Sequence, residues 1–169
     1  MRWKTMVGIG AVAGALAVAG CGTSAGSGPA AGNAPATVSA RDVDNVGTTL
    51  VNSAGDTLYF ADQESGGSIQ CLGACLRFWL PLTVPASTGV TAGAGVSGHL
   101  ATITRPDGTV QVTYEGKPLY TFTDDSGPGH ADGNGFTDTF DGTDFQWHAA
   151  AVSGSAPAAT ARPGYNGDY

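Results

Sequence analysis

Cys71 and Cys75 are the residues of this chain best placed to do chemistry, because two thiols stand four positions apart. On one helical turn this spacing keeps the two Cα atoms within the range that a disulfide accepts. A disulfide that closes so short a loop stabilises the folded state by about 2 kcal/mol in the chain-entropy model. The spacing predicts a structural disulfide. The alternative is redox or copper chemistry at the same pair, completed by His130 or His148 if the fold brings either near.

A second candidate is the loop over residues 124–144, which is rich in aspartate and glycine. Its segment Asp132-x-Asn134-Gly135 is similar to the middle of a calcium-binding loop. The match is partial, because a histidine stands where the first aspartate belongs and an aspartate replaces the last glutamate. A solvated acidic loop is the simpler interpretation, and a cation-stabilised adhesive module is the alternative. The candidate ligands for such a cation are Asp125, His130, Asp132, Asn134 and Asp141.

Enzyme templates do not match the chain. It contains no G-x-S-x-G or H-E-x-x-H motif and no phosphate-cradling glycine loop. No spacing singles out two carboxylates for glycoside hydrolysis. His99 precedes a predicted strand, where capping a sheet edge is a simpler role than general base. We therefore expect a protein that is not an enzyme.

The overall charge and composition exclude some partners. The chain carries a formal net charge of −7, which argues against binding to nucleic acid or to anionic membrane surfaces. Only 12% of the residues are charged, while 27 of the 169 are glycine. This combination indicates a turn-rich β protein displayed outside the cell.

The N-terminus predicts export. Arg2 and Lys4 precede the uncharged run Met6–Ala19, which is shorter than the roughly 20 residues of a membrane-spanning helix and fits the core of a secretory signal. The run ends in Val18-Ala19-Gly20-Cys21, which resembles the lipobox of bacterial lipoproteins. That resemblance implies removal of the preceding peptide and acylation of Cys21 with chains such as palmitate. An ordinary signal with an incidental cysteine, or an uncleaved anchor, is the alternative.

The cysteine count fits this interpretation. Three cysteines make an odd number, and lipidation of Cys21 leaves one pair in an oxidising compartment. The predicted organisation is a signal peptide over residues 1–20, a lipidated flexible tether over 21–40, a β domain over 41–153 and a disordered tail over 154–169.

Two stretches of the β domain repeat each other. The segment "VNSAGDTLYF" and the segment "VTYEGKPLYTF" align Tyr59 with Tyr120 at an offset of 61, and Trp79 aligns with Trp147 at an offset of 68. The difference implies a longer loop in the second copy. We predict two related units, over about residues 47–84 (the first unit) and 110–152 (the second unit).

The turn signals predict a mainly β fold: a small antiparallel domain of two hairpin-based repeats with one short helix around Leu72–Phe78. The recurrent aromatic residues are interpreted as core, with an aromatic ligand shelf as the alternative. The expected hairpins are Thr48–Asn52 with Asp56–Phe60 and Val110–Tyr114 with Pro118–Phe122, inside a three-stranded meander over Leu100–Tyr120 and followed by a closing strand over Phe145–Val152.

Over residues 47–152 the chain resembles a family of bacterial secreted-repeat lipoproteins marked by a Tyr-x-aromatic-x-x-Asp motif. The second unit matches it with Tyr120, Phe122 and Asp125. The first unit begins the motif at Tyr59 but carries alanine in the aromatic slot and ends on Glu64. The cysteine–tryptophan segment over residues 71–82 also matches, except that leucine stands at position 80 where proline is usual. The resemblance implies an envelope location and no known activity.

These observations predict a lipid-anchored, non-catalytic binding or structural module on the extracytoplasmic face of a bacterial membrane. Its partners would be the membrane, through the anchor, and an envelope protein or small ligand that the sequence does not name. No cofactor is expected, with copper or calcium as the alternatives described above.

Overall fold

The computed structural model describes residues 36–152, and this part of the chain is mainly β-structure, which confirms the predicted fold class. The predicted short helix is a 3-10 helix, Gly73–Arg77, and a second one spans Asp62–Glu64. Between residues 36 and 152, no helix has the length and apolarity needed to cross a membrane. The strands are β1 (Ala36–Val43), β2 (Gly47–Val51), β3 (Tyr59–Ala61), β4 (Trp79–Pro81), β5 (Thr83–Val84), β6 (Val90–Ala92), β7 (Leu100–Thr104), β8 (Val110–Tyr114), β9 (Lys117–Pro118), β10 (Tyr120–Phe122), β11 (Thr137–Phe140) and β12 (Thr143–Ala149).

The strands form three sheets. The central one has five strands in the order β11-β12-β3-β10-β4. A second has the order β2-β1-β6, in which β1 pairs antiparallel with β2 and parallel with β6. The third has the order β5-β8-β7, and β9 adds to β8.

The register of the central sheet relates the two units by an approximate two-fold axis. Tyr59 pairs with Tyr120 where β3 and β10 meet. β4 belongs to the first unit but pairs with β10 of the second, and β12 of the second unit pairs with β3 of the first. The tryptophan strand of each unit therefore completes the tyrosine strand of the other. The matching register pairs are Trp79 with Phe122 and Trp147 with Ala61.

The outer strands show the same exchange. The amide of Leu50 donates to the carbonyl of Ala150, and the amide of Val112 donates to the carbonyl of Leu82. Each bond joins a strand near the start of one unit to the end of the other. The two units form one interlocked body, because the tryptophan strand that pairs with each tyrosine strand comes from the other unit.

The predicted hairpins are shorter than expected. In the second unit, β8 and β9 close over Glu115 and Gly116, whose φ angles of 50° and 76° suit a tight two-residue turn. In the first unit, only the single bridge Val51–Thr57 remains. After each turn the chain leaves for the central sheet, so the meander predicted over Leu100–Tyr120 ends at β9.

The first strand begins inside the residues assigned to the predicted tether. Residues 36–40 belong to β1, which pairs with β2 and β6, so the β structure begins five positions before residue 41. Small, uncharged residues made this stretch look like a linker, and pairing with distant strands overrode that signal. Residues 1–35 and 153–169, with the predicted signal peptide, Cys21 and the tail, lie outside the described residues.

The interior divides into two apolar clusters. The first contains Tyr59, Trp79, Tyr120, Trp147 and both cysteines of the pair. The second lies under the outer strands and contains Leu50, Leu58, Val112 and Leu119. Successive side chains of β3 point to opposite faces of the sheet, so this strand contributes to both clusters. Tyr59 and Ala61 are buried in the first cluster, while Phe60 between them packs against the second.

Candidate functional site

The Tyr-x-aromatic-x-x-Asp motif works across the two units. The hydroxyl of Tyr59, in the first unit, lies 2.8 Å from Oδ1 and 3.0 Å from Oδ2 of Asp125, in the second unit. The same Oδ1 accepts the backbone amide of Asp132 at 2.9 Å. The motif therefore links the two repeats instead of forming a site within one.

Burial makes the Asp125 carboxyl a weaker acid than usual. It raises the pKa of Asp125 to about 6, even though the hydrogen bonds from Tyr59 and from the Gly133 and Asp132 amides oppose the shift. Burial and the nearby Asp125 charge also raise the pKa of Tyr59. The tyrosine accordingly stays a donor and the aspartate its acceptor.

The reciprocal pair joins Tyr120 to Glu64 and is more deeply enclosed. Glu64 is fully buried, and its Oε1 accepts the backbone amides of Gln70 and Cys71 at 2.5 and 2.7 Å. Burial, followed by the Glu64 charge, raises the pKa of Tyr120. Glu64 Oε2 receives no well-aligned hydrogen bond within residues 36–152.

Arg105 closes this enclosed side. It is 2% exposed, and its guanidinium donates to Gln111 Oε1 at 2.5 Å and to the Cys71 carbonyl at 2.8 Å. A longer contact of 3.3 Å reaches the Tyr120 hydroxyl. Its Nε lies 3.7 Å from Asp107, too far for a hydrogen bond. A buried cation therefore sits beside the first unit's acid.

The predicted disulfide is confirmed. Cys71 and Cys75 are bonded, with their Cα atoms 5.4 Å apart, and both are fully buried. Thiol–disulfide exchange begins with attack on an accessible sulfur, so this burial favours the structural role over the redox alternative. Through the amide and carbonyl of Cys71, the disulfide also positions the contacts with Glu64 and Arg105.

Trp79 and Trp147 converge on one carboxylate. Their rings stack at 3.8 Å between centroids with planes 9° apart. Asp138 Oδ2 accepts the Trp79 indole N–H at 2.8 Å, and Oδ1 accepts that of Trp147 at 3.0 Å. Burial raises the pKa of Asp138, while the two indole bonds oppose the shift. We call this arrangement the Trp–Asp–Trp bridge.

A cleft opens beside this bridge. Its cavity has a volume of about 30 Å³ and opens to solvent. Its shape comes from β10, β11 and the residue that follows the Gly73–Arg77 turn. We call it the phenylalanine cleft, and it is lined by Phe78, Phe122, Asp124, Phe136, Asp138 and Phe140.

The predicted cation ligands are engaged in other contacts. The Asp132 carboxylate accepts the amide and hydroxyl of Ser126, and Asn134 Oδ1 accepts the Ala149 amide. The carbonyl of His130 accepts the Thr57 hydroxyl. Residues 36–152 contain no group of three or more His, Cys, Asp or Glu that could hold a metal ion. The calcium and copper sites remain predictions.

Comparison with known proteins identifies part of the chain. Residues 101–151 match the model of a family described as a secreted repeat of unknown function. The predicted family resemblance is confirmed over this segment. The match runs from β7 to just after β12, and a secreted repeat indicates an extracellular or envelope location. No curated protein and no solved structure matches the chain.

Sequence reasoning missed the two residues that organise the site. The importance of Arg105 could have been suspected from the sequence. Lysine and arginine together number only 7 in the chain, and Arg105 directly precedes the Pro106–Gly108 turn. Nothing in the sequence singles out Asp138, because it is one of several aspartates in an acidic loop. Only the fold shows that it faces two indoles 59 and 9 positions away.

Proposed function

We propose that the protein is a lipid-anchored, non-catalytic binding module of the bacterial cell envelope, attached through Cys21. The apolar signal and the lipobox-like segment support the anchor, and the secreted-repeat match supports the compartment. The described domain contributes a stiff, interlocked body, and the tether before it separates that body from the membrane.

The state of the perturbed acids supports a non-catalytic role. Catalytic acids and bases need a shifted pKa and room for a substrate proton. The two carboxyls whose pKa is raised, Asp125 and Asp138, already accept hydrogen bonds from Tyr59 and from the indoles of the Trp–Asp–Trp bridge. Their pKa values are raised by burial, and both carboxyls already serve as acceptors that join the two units.

The observation that carries the binding role is the phenylalanine cleft. Three of its rings, Phe78, Phe136 and Phe140, are only partly buried although they lie beside a well-packed aromatic core. Each of these rings therefore keeps some apolar surface in contact with water, and covering that surface with a ligand would be favourable. Concave aromatic surfaces with a few polar groups are the usual form of ligand sites.

Mass spectrometry of the full chain made in a bacterial host tests the anchor. We expect the mature N-terminal peptide to begin at Cys21 and to carry acyl chains, and the protein to sediment with membranes. Cys21→Ala should move it to the soluble fraction, whereas Cys75→Ala, a cysteine change elsewhere, should leave it with membranes. An unmodified Cys21 thiol in membrane-bound protein would disprove the anchor.

A further inference from the structure

We propose that the phenylalanine cleft binds a quaternary ammonium group. The inference deepens the binding role proposed above and rests on it, because it names the chemistry of the ligand. Neither the secreted-repeat match nor the sequence motifs assign a ligand to these residues.

Four phenyl rings line the cleft. Phe78 and Phe140 stack on each other with centroids 5.9 Å apart, and Phe122 lies 5.3 Å from Phe136. The face of an aromatic ring carries negative electrostatic potential, which attracts a cation held within about 6 Å of its centre. Several aromatic rings around one opening are the kind of lining that proteins use for alkylated ammonium ions.

Two carboxylates add negative charge to the same opening. Asp138 is 6% exposed, and within residues 36–152 its oxygens accept only the two indole N–H groups. Among residues 36–152 no cation forms an ion pair with it. Asp124 lies exposed at the rim. A bound cation would compensate a charge that the described part of the chain leaves without a counterion.

The lining discriminates among cations. A calcium ion needs six to eight oxygen ligands, and this cleft offers two carboxylates among four phenyl rings. A primary ammonium brings three N–H donors that need acceptors, which phenyl rings do not supply well. A quaternary ammonium brings no N–H group. The cleft is small and open to solvent, so it can take one small head group and leave the rest of a larger ligand outside.

Calorimetric titration of the full chain, in an uncharged maltoside detergent, tests the proposal. Tetramethylammonium chloride should give saturable one-site binding, and sodium chloride at the same concentration should not. Phe140→Leu keeps an apolar side chain but removes a ring face, and should weaken binding about two- to fivefold. Phe60→Leu, the matched control, removes a ring that packs against the other apolar cluster and should leave the affinity unchanged.

A second variant tests the charge independently of the core. Asp124 is exposed, so Asp124→Asn should preserve the near-ultraviolet circular dichroism of the fold while it weakens binding about twofold or more. The proposal is overturned if tetramethylammonium and sodium give the same heats, or if Phe60→Leu weakens binding as much as Phe140→Leu does. An effect of Asp124→Asn equal to that of Asp107→Asn, an acid outside the cleft, would also overturn it.

A separate experiment identifies the source of the head group. Free choline and phosphatidylcholine vesicles, each in competition with tetramethylammonium, distinguish a soluble ligand from a lipid, with phosphatidylglycerol vesicles as the control. The acylation state of Cys21 is measured on the same sample. Acylated protein that binds no ammonium rejects the ligand and leaves the anchor standing, and ammonium binding by unacylated protein rejects the anchor alone.

Discussion

The two tyrosine–acid pairs occupy equivalent places in the repeat but different environments. Tyr59 donates to Asp125 at the edge of the acidic loop, where the carboxylate is half-buried and also accepts backbone amides. Tyr120 lies beside fully buried Glu64, with Arg105 on its other side. One pair is open and directly bonded, whereas the other is enclosed and contains a cation.

This difference shows what each acid does in the domain. An enclosed carboxylate is tolerated in a protein interior when donors and an opposite charge surround it. Glu64 has backbone donors and a guanidinium nearby, and the disulfide holds those donors in place. Asp125 has no such cation, and its protonation equilibrium shifts instead. The first is a fixed structural joint, and the second is the joint that responds to pH.

The largest expected effect is at the enclosed pair. Glu64→Ala removes the acceptor for the Gln70 and Cys71 amides and leaves two donors unpaired in the interior. We expect a loss of about 2–5 kcal/mol in the free energy of unfolding, measured by urea denaturation with the disulfide intact. Asp125→Ala, the matched change, should cost about 1–3 kcal/mol. Equal losses would remove the distinction between the two pairs.

The disulfide should support one pair and not the other. Replacing both Cys71 and Cys75 by alanine should lower the free energy of unfolding by about 2 kcal/mol. Hydrogen exchange should accelerate at the Gln70 and Cys71 amides, which donate to Glu64. The Asp132 amide, which donates to Asp125, is the internal control. Acceleration of equal size at Asp132 would show that the disulfide acts on the whole domain.

The two tyrosine hydroxyls should contribute differently to the free energy of unfolding. Tyr59→Phe removes a donor 2.8 Å from a carboxylate and should cost about 1–2 kcal/mol in urea denaturation, since bonds to charged groups are the stronger ones. Within residues 36–152 the well-aligned hydrogen bond of the Tyr120 hydroxyl is a long one, 3.3 Å from Arg105, so Tyr120→Phe should cost less than about 1 kcal/mol. The reverse order would mean that Tyr120 does bond directly to Glu64.

The smallest effect concerns pH. The pKa of Asp125 is about 6 in the folded protein, against its usual 3.8, so the folded state binds more protons between these values. The free energy of unfolding should therefore fall as pH rises from about 4 to 6. We expect about 1 kcal/mol, because the carboxyl is partly exposed and screened by solvent.

Asp125→Asn isolates this contribution. It should flatten the slope of stability against pH without abolishing it, because burial also raises the pKa of Asp138, which acts with the same sign. Asp44→Asn, at an exposed position, is the control and should leave the slope unchanged. A wild-type stability that rises from pH 4 to pH 6 would contradict the assignment of Asp125.

Much of the local structure was predictable because local spacing controls it. Cys71 and Cys75 bond as expected, and the short helix lies inside the range predicted for it. The start of the β structure was not predictable, because residues 36–40 become a strand only through pairing with β2 and β6. Strand formation depends on neighbouring strands more than on intrinsic preference.

The sequence by itself determined the disulfide, the existence of a repeat and the mainly β fold, because each follows from spacing, turn residues or alternation within a few positions. Only the tertiary structure decided that the tryptophan strands exchange between units, that Asp138 receives both indoles and that each motif tyrosine meets the acid of the other unit. These contacts join residues up to 90 positions apart, as Tyr59 and Ala149 are. At such separations no local pattern specifies a partner, and the register of the sheet selects it.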